Sequence, residues 1–376
     1  MRCSYKYRLY PTARQGGAMQ GQLNIAREVY NACLEERRAC YRSTGKSLTY
    51  YDQANQLKAI RQECPDVATV NFSMLQATCR RAQRTYDAFY RRMRAGLKGG
   101  FPRFKGHHRF DSITFPSYND GCTLADGRLK LQGVGRVKVK LHRSIKGAIK
   151  TVTLKREGDK WYVIFSCDIG AITPLPATGQ SVGIDVGLTY FLTTDTGATV
   201  ENPRPFKKAR GHLRVAQRAL ARCKRGSARR SKVRRRVALL HQKVANARRD
   251  FHHKTARTLV DANDAIYHED LTITNMVKNR HLAKAIHDVA WGQFIAILTS
   301  KAEEAGRRII AVDPYSTSQA CVCGERVPKQ LKDRWHECPV CGLSLPRDQV
   351  SAILIKEKRP GHGLQAPTQR IAAYVA

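Results

Sequence analysis

The stretch Gly179–Gly197, GQSVGIDVGLTYFLTTDTG, decides the fold, because it sets one carboxylate among apolar β residues. Val182 and Ile184 read as a strand buried on both faces, Gly187 as a tight turn, and Tyr190 to Thr194 as the returning strand. Asp185 interrupts that core strand. A buried acid without a partner costs several kcal/mol, so Asp185 requires a hydrogen-bond partner, a basic partner or a divalent metal; an aspartate that merely caps the turn is the alternative.

Downstream, DAIYHED (Asp264 to Asp270) is another short apolar run, and it too ends in an acid, Glu269. Helical spacing then joins Ile286, Val289, Phe294, Ile297, Leu298 and Ala302 as far as Gly306, and Arg308 to Val312 reads as a strand. Strand, helix and strand in that order predict a mixed α/β domain. Between the two acid-bearing strands, Lys207 to Arg257 holds almost no acid and a stripe of arginines four residues apart: Arg210, Arg214, Arg218 and Arg222. Those side chains share one helical face, and like charges at that spacing destabilise a free helix. Gly226 and Ser227 break the pattern, and a second helix from about Ser231 to Ala262 returns with Arg234, Arg235, Arg236, Lys243, Arg248 and Arg249. The pair reads as a basic hairpin (207–262) lying on nucleic acid; a merely soluble hairpin is the alternative.

Cys321, Cys323, Cys338 and Cys341 cluster between Tyr315 and Ile355. Cys338-Pro-Val-Cys341-Gly has the spacing of a zinc knuckle, in which the glycine permits a tight turn that aims backbone N–H groups at sulfur. The first pair, Cys321-Val-Cys323-Gly, is one residue short, so both sulfurs face one ion only if the backbone kinks. His336 is a substitute ligand, and four reduced thiols in a small hairpin are the alternative to zinc. Asp348 follows in Pro346-Arg347-Asp348-Gln349, in what reads as the first turn of a final helix, where the helix dipole alone justifies an acid. The tail, 359–376, reads as loosely ordered.

Upstream, Cys3 to Tyr10 reads as one strand, Pro11 and Thr12 as the opening of a helix through Cys33, Thr49 as the cap of a second helix, and Asn71 to about Leu97 as a third with arginines on its outer face. GGFPRFKGHHRF (Gly99 to Phe110) interleaves aromatic and basic residues, with Arg103 and Lys105 among them, a composition suited to stacking on bases while holding phosphates. Short strands at regular spacing from Cys122 to Cys167 predict a compact all-β barrel that the first strand joins, which makes the helices (11–98) an insertion into it (1–10 and 99–170). The segment 171–178, with its two prolines, reads as a linker.

The totals agree on the partner. In 376 residues, 67 Lys and Arg face 30 Asp and Glu, leaving a formal +37 that a polyanion would neutralise. No amphipathic basic helix with a bulky apolar face, lipidation motif, apolar signal core or membrane-length run is visible, so no membrane partner and a cytosolic location are expected. The eight cysteines outside the cluster sit among apolar or helical neighbours, as reduced thiols do.

An acid on a first strand, another ending a later strand and a third on a closing helix is the set with which a ribonuclease-H-like domain holds two divalent ions. Here the sequence resembles the TnpB family, the RuvC-type proteins of insertion sequences related to type V CRISPR effectors. The motifs that carry the likeness are RLYPT, GFPRF, GIDVG, HEDL followed by NM, the AWGQF helix, TSQ before the cysteines, CPVCG and RD. The resemblance implies Asp185, Glu269 and Asp348 as catalytic acids on two Mg²⁺ ions, with Mn²⁺ as a substitute, in a RuvC-like domain (179–314 and 345–358). It implies a structural Zn²⁺ ribbon (315–344), a wedge barrel and a recognition unit. It also implies a guide RNA from the transposon end, a double-stranded DNA target cut beside a short flanking motif, and Tyr50 and Gln76 as contacts to that motif. Two departures stand out: Pro346, Val350 and Ser351 occupy positions where the family has Asp, Asn and Ala, and the first cysteine pair is short. A binding-only regulator and a transposase proper are the competing readings.

Overall fold

The computed structural model describes residues 1–107, 109–315, 317, 319–330 and 333–358, which form two compact units, Met1–Ala171 and one beginning at Ile172. The expected loose tail, His108 of the Gly-rich loop and Ser318 of the TSQ motif lie outside the described residues.

In the first unit, β1 (Arg2–Tyr10) turns Tyr5, Tyr7 and Leu9 into the core, and Pro11 ends it. Thr12 caps α1 (Ala13–Thr44) with a reciprocal box: its hydroxyl accepts the Gln15 N–H while the Gln15 side chain accepts its own. Gly45, at φ 69°, ends the helix in the left-handed conformation that glycine adopts freely. Thr49 and Asp52 repeat the box for α2 (Tyr50–Glu63); a single turn, α3 (Pro65–Ala68), follows, and Asn71 caps α4 (Phe72–Arg94) by accepting the Met74 N–H. Next come β2 (Ser112–Phe115), β3 (Cys122–Ala125), β4 (Arg128–Leu131), β5 (Gly135–Lys140), β6 (Ala148–Glu157) and β7 (Lys160–Asp168). These seven strands form one antiparallel sheet in the order β2-β6-β7-β1-β5-β4-β3. The first strand thus lies mid-sheet between two of the last, with α1 to α4 inserted after it. Where a barrel was expected, β2 and β3 stand as the two ends of the ladder. The helices and the sheet share one apolar core, from Met19 and Leu34 on α1 through Met74 on α4 to Phe165 on β7.

The second unit opens with the antiparallel strands β8 (Ser181–Val186), β9 (Tyr190–Thr194) and β10 (Thr199–Glu201). A hairpin of α5 (Pro205–Arg222) and α6 (Ala228–Ala262) leads to β11 (Ala265–Glu269), α7 (Ile273–Met276), α8 (Ala283–Val289), α9 (Trp291–Ala305) and β12 (Arg308–Val312). The sheet order is β10-β9-β8-β11-β12, with β8, β11 and β12 parallel. One helix was expected from Ile286 to Ala302; Ala290, at φ 54°, divides it into α8 and α9. The left-handed turn costs about 1–2 kcal/mol, but it lets Ile286, Val289, Trp291, Phe294 and Leu298 all enter the same core.

A two-strand ribbon, β13 (Trp335–Glu337) and β14 (Ser344–Pro346), leads into α10 (Arg347–Glu357), with Pro346 just before the helix rather than at its first position. This last helix is buried on more than one side. Val350, Ile353 and Leu354 pack on the cysteine cluster, whereas Ile355 packs with Ala265, Tyr267 and Val312 of the sheet. It lies so close on β8 that a Cβ added to Gly183 would fall 2.1 Å from the Ala352 carbonyl oxygen. Buried Asp195 ties the two elements together, accepting the Gly183 N–H at 3.0 Å and the Lys356 ammonium at 2.5 Å.

Candidate functional site

The last paired residues of β8 and β11 are Ile184 and His268, so Asp185 and Glu269 come next, at the carboxyl ends of neighbouring parallel strands. Asp348 occupies the first turn of α10, which packs on β8. Burial, then the negative charges of Glu269 and Asp348, raise the Asp185 carboxyl well above the usual carboxylate range, against the opposing charge of Arg347. Burial also raises Glu269, against the Thr317 hydroxyl that donates to its Oε1 and the charges of Lys358 and His268. Arg347 Nε stands 4.0 Å from Asp348 Oδ1. Among the described residues, no hydrogen-bond or ion-pair partner contacts the Asp185 carboxylate. Acids that press on one another in this way stay ionised together only beside a cation, and their oxygens are the hard donors that Mg²⁺ takes.

The raised values make a prediction. The folded chain binds more protons at Asp185 and Glu269 than the unfolded chain does, so their contribution to stability is fully present below the ordinary carboxylate pKa and is lost as pH rises through the raised ones. In a chelating buffer, the fall in melting temperature from acid to neutral pH should shrink by roughly 3 °C in Asp185→Asn. An unchanged fall would show that Asp185 is not under this strain.

The four cysteines converge. Cys321 and Cys341 sulfurs stand 3.6 Å apart, as do those of Cys323 and Cys338, and all four lie within 4.8 Å of one another. Zinc–sulfur bonds of about 2.3 Å in a tetrahedron place sulfurs about 3.8 Å apart, so the set fits zinc. The short first pair manages this through a tight turn, with Gly324 at φ 94° and its N–H on the Cys321 carbonyl. Burial raises the Cys338 thiol, but the N–H groups of Cys341 and Val340 and the neighbouring thiols outweigh it and bring the pKa down to about 7. His336 is not in the group; its Nδ1 contacts the Lys329 ammonium, and burial and that charge hold it near 4.

On the basic hairpin, Leu213 and Ala216 turn inward while Arg210, Arg214, Arg218 and Arg222 are exposed, and none of the four has an acidic partner among the described residues. Asp288 anchors the hairpin: its carboxylate accepts the N–H groups of Phe206 and Lys207 at the start of α5 and one from Arg248. Arg248, read from sequence as part of the basic face, therefore points inward. If the stripe lies on phosphates, Arg214→Glu with Arg218→Glu should weaken binding of matched and mismatched targets alike and flatten the slope of log affinity against log salt by about two. Equal binding by both proteins across a salt series would leave the stripe facing solvent.

In the first unit, Tyr50 and Gln76 line one pocket of about 640 Å³ with Ser73, Arg80, Arg81 and Arg84, and the Arg80 guanidinium lies 4.3 Å from the Tyr50 ring centre. Arg103 is exposed, and the Lys105 backbone is held on both sides by Asn31. Sequence reasoning missed Thr317 on Glu269, Asp195 with Lys356, and the capping role of Asp288. Only for Asp195 was there a signal: an acid directly after the apolar run FLTT, repeating the placement of Asp185 and Glu269.

Comparison with known proteins adds three family matches: residues 164–280 to "Probable transposase", 291–355 to "Cas12f1-like, TNB domain", and 1–46 to "Helix-turn-helix domain". The last stretch is here one strand and one long helix. A putative RNA-guided DNA endonuclease of Streptomyces pristinaespiralis is 32% identical over 359 residues, 93% of this chain and 87% of that protein. The putative RNA-guided DNA endonuclease InsQ of Escherichia coli is 27% identical over 92% and 89% of the two chains, and a TnpB-like protein of Acanthamoeba polyphaga mimivirus is 24% identical over 54% and 42%. With acids and cysteines at the positions described and a relative that similar over nearly its whole length, the chain belongs to the TnpB family of transposon-encoded proteins.

Proposed function

We propose that this protein is an RNA-guided, metal-dependent DNA endonuclease of a transposable element, with Asp185, Glu269 and Asp348 as its catalytic acids. The observation that carries the reading is the placing of the three carboxylates, at two neighbouring strand ends and on the first turn of the helix packed on β8, with Glu269 and Asp348 both within electrostatic reach of buried Asp185. A sheet ordered β10-β9-β8-β11-β12, antiparallel and then parallel, supports a ribonuclease-H-like domain of RuvC type. Asp185, Glu269 and Asp348 would hold two Mg²⁺ ions, which would supply the Lewis acidity that a water nucleophile and the leaving oxygen of the cut strand need. The chain's own part is to hold the acids: Thr317 fixes one oxygen of Glu269, and α10, seated on β8, carries Asp348. Cys321, Cys323, Cys338 and Cys341, which pack against that helix, would hold a structural zinc. The β-rich part of the first unit serves as wedge and its helices as recognition unit, with Tyr50 and Gln76 toward the flanking motif. Guide RNA pairs with the target strand and supplies sequence choice.

One observation favours a second reading, guided occupancy of DNA without cutting. Val350, where the family has asparagine, is buried in the cysteine-cluster core and offers no amide to the third acid. One experiment separates the two. Protein purified with its native RNA, which is then sequenced, is given matching double-stranded DNA and Mg²⁺. Cutting supports the nuclease; tight binding with no cutting in Mg²⁺ or Mn²⁺ would establish the regulator.

A further inference from the structure

The helical part of the first unit contains a cavity of about 430 Å³ that none of the roles above uses, within the roughly 300–1,000 Å³ of small-ligand sites. Arg38, Tyr41 and Arg42 of α1, Tyr86 and Tyr90 of α4, and Phe101 of the Gly-rich loop line it, and no acid does. Its rings are open to solvent to an unusual degree: Tyr41 is 63% exposed, Phe101 44% and Tyr90 41%. Phe101 meets Tyr86 and Phe89 edge to face, at centroid distances of 5.8 and 5.3 Å, rather than stacking on either. The Arg38 guanidinium sits 5.2 Å from the ring centres of both Phe101 and Phe104.

A buried charge in the wall shows what the cavity lacks. Arg37 is only 4% exposed, and its guanidinium is held by two neutral amides, Nε to Gln53 Oε1 at 2.8 Å and Nη2 to Gln83 Oε1 at 2.7 Å. Among the described residues no carboxylate pairs with it. Glu36 bonds instead to the amide nitrogens of Gln53 and Gln56. A buried cation with neutral partners is costly, and an anion brought to the cavity offsets that cost.

We propose that this cavity takes one unpaired nucleotide, its base against Phe101 and Tyr90 and its phosphate on Arg38 and Arg42, in the field of Arg37. Every base has a π-face for an aromatic ring, and its phosphate supplies the missing negative charge. A small inorganic anion would leave the rings unused, and an apolar peptide would leave three arginines unpaired. Ring and phosphate are common to RNA and DNA, so the strand that supplies the nucleotide is read by experiment. The inference uses the nuclease reading only to say where such a strand comes from.

The test uses full-length protein and a short single-stranded oligonucleotide with one fluorescent purine analogue, as RNA and as DNA, without guide or cutting. Stacking should quench the analogue in wild type, and replacing that nucleotide by an abasic one should weaken binding about tenfold. Phe101→Ala and Tyr90→Ala should each lose the quenching and gain nothing from the base, Tyr90→Phe should keep both, and Arg38→Ala should flatten the salt slope by about one. Quenching with one nucleic acid alone identifies the source strand. Equal binding of intact and abasic strands by wild type, or undiminished quenching in Phe101→Ala, overturns the proposal; the wild-type comparison stands even if a variant fails to fold. A protein that cuts no DNA yet discriminates the abasic strand would refute the nuclease reading and leave the pocket in place.

Discussion

Asp185→Ala protein is expected to bind guide RNA and matched DNA with near wild-type affinity and to cut the DNA about a thousandfold more slowly or not at all. The size follows from what the acid holds: Lewis-acid stabilisation by a metal is worth several kcal/mol, and each 1.4 kcal/mol or so is a decade in rate. Binding survives because the carboxylate without its metal mainly repels phosphate, and the basic hairpin, the proposed contact to the polyanion, is anchored elsewhere, at Asp288. Asp185 is also buried beside two other acids, so its removal is expected to leave the fold in place. Gel assays of binding and cleavage on one preparation check both halves. Cleavage within threefold or so of wild type would show that the acid at the end of β8 is not catalytic. Loss of binding with cleavage would mean that the variant fails earlier.

The second large effect is at the cysteines. Protein prepared without added zinc should carry one zinc ion per chain, and Cys338→Ser should carry none and melt well below wild type. Apparent zinc-binding energies in small structural sites are about 10–16 kcal/mol at neutral pH, far more than the small core of Val322, Leu343 and their neighbours supplies alone. Because Val350, Ile353 and Leu354 of α10 belong to that core, losing the ion should loosen the helix that carries Asp348, and cleavage should fall with the zinc content. Metal analysis beside a melting curve decides it. Near-zero zinc in folded wild-type protein would remove the site, and zinc kept in Cys323→Ser but lost in His336→Ala would assign the other ligand set.

Local signals in the sequence translated directly. Thr49 caps the helix it was read to cap, and the helices read as opening at Thr12 and Asn71 do start there, each with that residue as its cap, because a cap is decided within four or five residues. The apolar runs that end in Asp185 and Glu269 are strands for the same reason: their neighbours alone require it. What stayed hidden depends on distant partners. Asp195 and Lys356 meet across 161 positions, and nothing beside Lys356 marks it as that acid's partner. Thr317 reaches Glu269 across 48. Arg248 looked like one arginine among many until Asp288 claimed it, and the break at Ala290 interrupts a helical spacing that continues unbroken in the sequence. Ser112–Phe115 pairs with Val152 to Lys155 of β6, which lie far along the chain.

The seat of α10 on β8 also bears on how the chain is made. Synthesis runs from the amino end, and β8, β9 and β11 emerge with Asp185 and Glu269 long before residue 347 exists. Until then Gly183 faces open space where the last helix belongs, Asp195 lacks its lysine, and the acids number two. Synthesis that ends within the cysteine cluster therefore releases a chain that carries the basic hairpin but not the third carboxylate. Premature termination in this gene would yield a nucleic-acid binder with an exposed sheet, so that damage from an incomplete nuclease would be occupancy and aggregation rather than stray cuts.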